Sequence, residues 1–158
     1  MQIYHKSYVY LTCGPALLVF SEPDFPEVGL QVPGGTLDPR ESYLQGALRE
    51  FTEETGLSLD IAIESFADQD HIFENVPGCL NGMHRRRHFH SSIKKKPAKE
   101  WEHFEMTPST DGQPIRFRLF WVEVFAPDAP TETEFFEGFG AQLETLWPRM
   151  ERQINGLH

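Results

Sequence analysis

Three glutamates, Glu50, Glu53 and Glu54, stand at positions i, i+3 and i+4 of one segment. If that segment is helical, a turn of about 3.6 residues gathers the three carboxylates on one side. Like charges at this spacing each cost an isolated helix roughly 0.2–0.5 kcal/mol. Glutamates on a solvated helix face are common, but a helix that only packs has little reason to collect this repulsion. A hard divalent cation, which prefers carboxylate oxygen, relieves it. The chemistry suggested by the spacing is the binding of such an ion.

The surrounding residues describe the helix that must carry the cluster. Asp38-Pro39-Arg40-Glu41 offers a capping aspartate, a proline at the first helical position and a capping-box glutamate. Leu44, Ala47, Leu48 and Phe51 recur at i, i+3, i+4 and i+7, one apolar stripe for burial. Gly56 is the stop signal, so the helix is expected over about residues 39–55. The carboxylates fall outside the stripe, with Glu50 and Glu54 near its edge. That puts them at the rim of a packed helix, beside the Pro33-Gly34-Gly35 turn that feeds it.

From Gly35 to Leu57 the chain resembles the Nudix box of the Nudix hydrolases. Its fixed positions are filled by Gly35, Glu41, Arg49, Glu50, Phe51, Glu53, Glu54, Gly56 and Leu57. The resemblance implies an α+β fold, a Nudix-like α/β/α sandwich with a mixed β-sheet and the box as a loop–helix–loop. It implies hydrolysis of a diphosphate linkage with Mg²⁺ or Mn²⁺ as cofactor, on oxygen ligands from Glu50, Glu53 and Glu54. The backbone carbonyl of Gly34 is expected to complete the metal shell. Arg49 is expected to orient a box glutamate, and Glu41 to support the loop and helix. Glu53 is the first choice for the general base, with an acid from Glu100–Glu105 as its rival.

The resemblance does not choose the substrate. The coenzyme A and NADH subgroup motifs are absent, no tyrosine follows Tyr43, and Pro77 lies farther past the box than the ADP-ribose type places its proline. These absences favour a nucleoside di- or triphosphate or a nucleoside diphosphate conjugate. An RNA 5′-end pyrophosphohydrolase is the alternative, with an RNA 5′ end as partner. A non-catalytic Nudix-fold nucleotide-binding regulator is another, although such proteins generally lose box carboxylates and this chain has the full set.

Length and composition point to one domain over residues 1–158. The chain is long enough to bury a core without disulfides, and 39% hydrophobic with 13% aromatic residues argues against disorder. Cys13 and Cys79 form no CxxC pair or zinc spacing and read as reduced thiols. No apolar run approaches the roughly 20 residues of a membrane span, so no membrane partner and a cytoplasmic location are expected. Residues 2–13 and 16–20 read as a hairpin, Gly29–Val32 and Leu59–Ile63 as short strands, and Ile115–Phe125 as the strongest strand. Leu143, Leu146, Trp147 and Met150 mark a second helix, with Pro148 either distorting it or lying in its first turn.

Residues 76–114 show no clean period and read as a basic insertion. Between His84 and Lys99 stand seven of the fourteen Lys and Arg residues and no acid, in a chain of formal charge −10. One reading is a solvated charge run. The other is a flap in which Arg85, Arg86 and Arg87 bind substrate phosphates, with Lys94–Lys96 beside them and Trp101 and Phe104 stacking on a base or anchoring the insertion. His84, His88 and His90 would give that flap charge below about pH 6.5.

Overall fold

β1 (Ile3–Cys13) and β2 (Ala16–Ser21) form the expected hairpin in a computed structural model that describes residues 1–60, 62–105 and 113–156. The two strands pair at the hairpin end, Thr12 with Leu17 and Cys13 with Ala16. Farther along, each takes a partner from residues 31–36 instead. Phe20 and Gln31 exchange backbone hydrogen bonds, and the Val9 amide donates to the Pro33 carbonyl. β3 (Gly34–Thr36) then pairs with Lys6–Tyr8. The strand expected at Gly29–Val32 is only a pair of isolated bridges, because the ladder to β1 is made by the glycine turn itself.

β4 (Glu64–Phe73), β5 (Gly82–Ser92), β6 (Glu100–Glu105) and β7 (Ile115–Glu123) complete a seven-stranded sheet. Its order is β4-β5-β1-β2-β7-β6, with β3 beside β1. Only β1 and β5 run parallel among these pairs, so the sheet is mixed. α1 (Tyr43–Thr55) covers one face and α2 (Leu143–Ile154) the other. Alternation in the strands serves both: Val9, Leu11, Leu18 and Phe20 meet Ala47 and Phe51, whereas Tyr8, Tyr10, Leu17 and Val19 meet Leu143, Leu146 and Met150. Phe51 is fully buried, and truncating such a ring to alanine costs about 3–5 kcal/mol. No helix among the described residues is long and apolar enough to cross a membrane.

Several local expectations change. α1 begins at Tyr43, because Arg40 adopts φ 69 and breaks any helix started at Pro39. The capping box is Ser42 with Gln45, each bonding the other's backbone amide. Leu44 leaves the apolar stripe and is exposed. At the far end, β4 starts at Glu64, after the segment expected as a strand at 59–63 (residue 61 lies outside the described residues). Leu59 and Ile63 pack on the α1-side core as connector residues. α2 continues through Pro148 beyond its first turn.

Residues 76–114 differ most from the irregular reading. β5 is the parallel partner of β1, and β6 pairs with β7. The alternation in β5 is real, but polar residues fill the buried positions: His84, Arg86, His88 and His90 are each under 5% exposed. A hydropathy pattern cannot register a buried column of that composition. Residues 106–112, also part of this stretch, lie outside the described residues.

Candidate active site

The turn before α1 is shaped by close approach. A Cβ on Gly35 would lie 2.7 Å from the Glu50 carboxylate carbon and 2.8 Å from both its oxygens. On Gly34 it would lie 2.2 Å from the Ser7 carbonyl oxygen. Any side chain here would push β3 off β1 or off the helix. The Gly34 amide donates to Glu54 Oε1 at 2.6 Å, tying the turn to the last helical turn.

Arg49 organises the other side. Its Nε and Nη2 donate to the two Glu41 oxygens at 2.8 and 2.9 Å, a bidentate pair. Nη1 reaches Glu50 at 3.0 Å and Glu53 at 3.3 Å, and Nη2 also donates to the Thr36 carbonyl at 3.0 Å. The hydrogen bond to Glu41 is the main cause that raises the Arg49 pKa and lowers that of Glu41. Glu41 Oε1 additionally accepts from the Asp38 amide at 2.8 Å, so it holds the loop rather than capping the helix.

The carboxylates themselves are crowded. Glu54 is 6% exposed, and burial first, then Glu50 and Glu105, push its pKa well up. Burial also raises Glu50, against the hydrogen bond from Arg49. The negative end of the helix macrodipole adds to this field, and no basic residue stands in the last turn.

β6 docks on that helix end. Its inward residues are Trp101, His103 and Glu105. Trp101 Nε1 donates to the Thr55 carbonyl at 2.8 Å, and His103 Nε2 lies 2.9 Å from the Glu53 carbonyl. These carbonyls belong to the turn that an α-helix leaves without internal partners. Docking brings Glu105 to the carboxylates, where burial, then Glu50, Glu22 and Glu53, push it up to about 7. Glu50, Glu53, Glu54 and Glu105 line one cleft of about 460 Å³, whose walls include Lys6, Tyr8, Phe136 and Phe139.

The sequence profile of the NUDIX domain matches residues 7–124. The chain belongs to the Nudix hydrolase family. As a member it is a Nudix-type pyrophosphohydrolase. No curated protein matches it. Among solved structures, the MutT NUDIX hydrolase from Burkholderia pseudomallei is similar, at 17% identity and TM-score 0.64 over 92% of this chain and 99% of that one. The NUDIX domain of Shewanella oneidensis NrtR, complexed with ADP ribose, gives 15% and 0.64 over 95% and 90%. A mutant of the Bacillus subtilis pyrophosphohydrolase BsRppH gives 16% and 0.54 over 97% and 82%. At these identities the likeness speaks to the fold.

Nudix hydrolases generally use divalent metals, and the donor set here fits one. The oxygens are hard, crowded and at the negative end of a helix. Among the described residues no three acidic, histidine or cysteine groups already converge to hold an ion. Arg49 and the Gly34 amide occupy oxygens of Glu50, Glu53 and Glu54.

The basic triplet lies elsewhere. Arg85 and Arg87 pair with Asp70 and Asp68 across β4, and Arg87 lies over the Tyr43 ring. Arg86 is 1% exposed on the opposite sheet face, 4.4 Å from the Phe139 ring centroid, with Nη1 donating to the Glu137 carbonyl at 2.6 Å. None of the three, nor Lys94–Lys96, lines the carboxylate cleft. Phe104 points outward, and Trp101 is the anchor described above. The expected titrating flap is corrected too: burial lowers the pKa of His84, of His88 to about 3 and of His90 to about 4. Lys6, Phe136 and Phe139 were not legible as site residues, since no local pattern marks them.

Proposed function

We propose that the protein hydrolyses the diphosphate linkage of a nucleoside di- or triphosphate, or of a nucleoside diphosphate conjugate, with Mg²⁺ or Mn²⁺ held by Glu50, Glu53 and Glu54. The observation that carries this reading is that Glu50, Glu53 and Glu54 of the box line one cleft with Glu105. Bound there, the ion neutralises phosphoryl charge and lowers the pKa of a water ligand. The Gly34 carbonyl stays in the proposed donor set. Arg49 fixes Glu50 and Glu53 through one planar group, and Glu41 fixes Arg49.

For the proton of the attacking water we favour Glu105 over Glu53. Glu53 is 41% exposed and accepts from Arg49, which weakens it as a base. Glu105 is half-buried, faces the same cleft and has a pKa pushed up to about 7, the range in which a base works best near neutral pH. Of the basic residues that pointed to an RNA 5′ end, Arg85 and Arg87 are ion-paired and Arg86 is buried, and the exposed Lys94–Lys96 do not line this cleft, so a small nucleotide is the better-supported partner.

The test is a panel of nucleotides, nucleoside diphosphate conjugates and triphosphorylated RNA, incubated with Mg²⁺ or Mn²⁺, with products identified by mass. Cleavage of a small diphosphate that EDTA abolishes is expected. Glu54→Gln should lower kcat about a hundredfold or more, the scale of losing several kcal/mol of charge stabilisation. Near-parental turnover of a folded Glu54→Gln protein at the same metal concentration contradicts the assignment.

A further inference from the structure

Two cations line the cleft among its described residues, Arg49 and Lys6. Arg49 is committed to Glu41, Glu50, Glu53 and the Thr36 carbonyl. The Lys6 side chain has no hydrogen bond or ion pair with any described residue, although it is partly buried. Register fixes where it stands. On β1, Lys6 is the cross-strand partner of Thr36 in β3 and of Arg86 in β5. Besides burial, its charge feels the buried Arg86, which lowers its pKa, and Glu50, Cys79 and Glu54, which raise it. Lys6 therefore shares the lining of the cleft with the proposed metal ligands Glu50, Glu53 and Glu54. A partly buried cation without a partner is costly unless an anion reaches it.

We propose that Lys6 binds the phosphoryl oxygens of a diphosphate or polyphosphate substrate. This rests on the hydrolase reading above, and it replaces the Arg85–Arg87 triplet as the source of the cationic contact. An ammonium on a flexible stem suits the task, because it offers three rotatable donors to oxygens whose position changes as the linkage breaks. The contact forms in the ground state, so binding is the property it controls most directly.

The experiment measures equilibrium binding of methylene-bridged, uncleavable nucleoside di- and triphosphate analogues to the full chain in Mg²⁺. Parent, Lys6→Met, Lys6→Gln and Lys6→Arg are compared, with thermal melting as the check on folding. Binding of Mn²⁺ alone is followed by paramagnetic resonance. Expected are a tenfold or greater rise in Kd for Met and Gln, a smaller rise for Arg, and Mn²⁺ binding that is unchanged or tighter. The difference between Met and parent should shrink with added salt. Folded Met and Gln variants that keep the parental Kd overturn the role of Lys6, and the hydrolase reading stands if the parent still cleaves diphosphates. Equal losses in Arg, Met and Gln also overturn it, because the charge is then not what is read. If the analogues bind and Lys6→Met weakens them, but the parent cleaves nothing, the Lys6 contact is supported and hydrolysis is what fails. A parent that binds no analogue overturns both.

Discussion

One guanidinium holds three of the four box glutamates. Arg49 meets Glu41 with two parallel hydrogen bonds and uses its remaining donors on Glu50, Glu53 and Thr36. A lysine has the charge but not the fork. Arg49→Lys is expected to lower kcat tenfold or more while KM changes little; a rise in KM alone would assign Arg49 to the substrate. Glu105 makes a second prediction at this scale. Its proton is lost near pH 7 in the metal-free cleft, so the deprotonated base accumulates as pH rises through that value. A nearby divalent ion favours the carboxylate and moves that value down. The acid limb of kcat/KM should therefore shift to lower pH as metal is raised, and Glu105→Gln should remove the limb with a loss of about 10²-fold or more. A Glu105→Gln enzyme that keeps the limb returns the base role to Glu53. The pairing of Arg49 with the box acids was legible, because its partners share one short motif. Glu105 was legible only as one acid of a segment, since its pKa depends on strands distant in sequence.

β6 shows how an element outside the box shapes the site. Its sequence, Glu-Trp-Glu-His-Phe-Glu, alternates, but with Glu100, Glu102 and Phe104 outward and Trp101 the one large apolar residue inward, so it does not read as a buried strand. Ring donors on Trp101 and His103 meet the carbonyls at the end of α1, and the strand delivers Glu105 two residues later. Trp101→Phe keeps most of the ring area and removes the donor. The Thr55 carbonyl then loses its indole partner, a cost of about 1–3 kcal/mol for a buried group. Expected are a lower Tm and a fall in kcat larger than any change in KM, because Glu105 shifts while the substrate walls do not. A variant that loses Tm but keeps kcat shows the anchor to be structural only. β5 failed to read for a different reason. Its buried positions hold histidines and an arginine, and only pairing with β1 and β4 reveals that they face inward.

Across the molecule, the two sheet faces are filled differently, and the α2 side carries a pH liability. His88 and His90 are buried there beside Tyr8, Tyr10 and Phe66. Around His88 stand Arg86, Asp68 and Gln69, with burial and then Arg86 lowering its pKa to about 3. Around His90 stand Thr12, Arg149 and Glu64, with burial and then Arg149 lowering it to about 4. In the unfolded chain both rings titrate near 6.5, so between that pH and the folded values the unfolded state binds more protons. Stability from neutral burial is present above about pH 6.5 and lost as pH falls toward 4 and 3. Glu22, Glu50, Glu54 and Glu105 act in the opposite sense, because their raised values favour the folded state as pH drops toward 4.5. The parent's net curve mixes the two, so the informative quantity is a difference. His88→Met removes one titrating ring while filling the site with an adaptable apolar side chain. Relative to the parent, the variant should gain up to about 1.4 kcal/mol per pH unit through the window between pH 6 and 4. Urea unfolding at pH 7, 5.5 and 4.5 measures it. A difference that stays constant across those three values means that His88 is not held neutral by the fold.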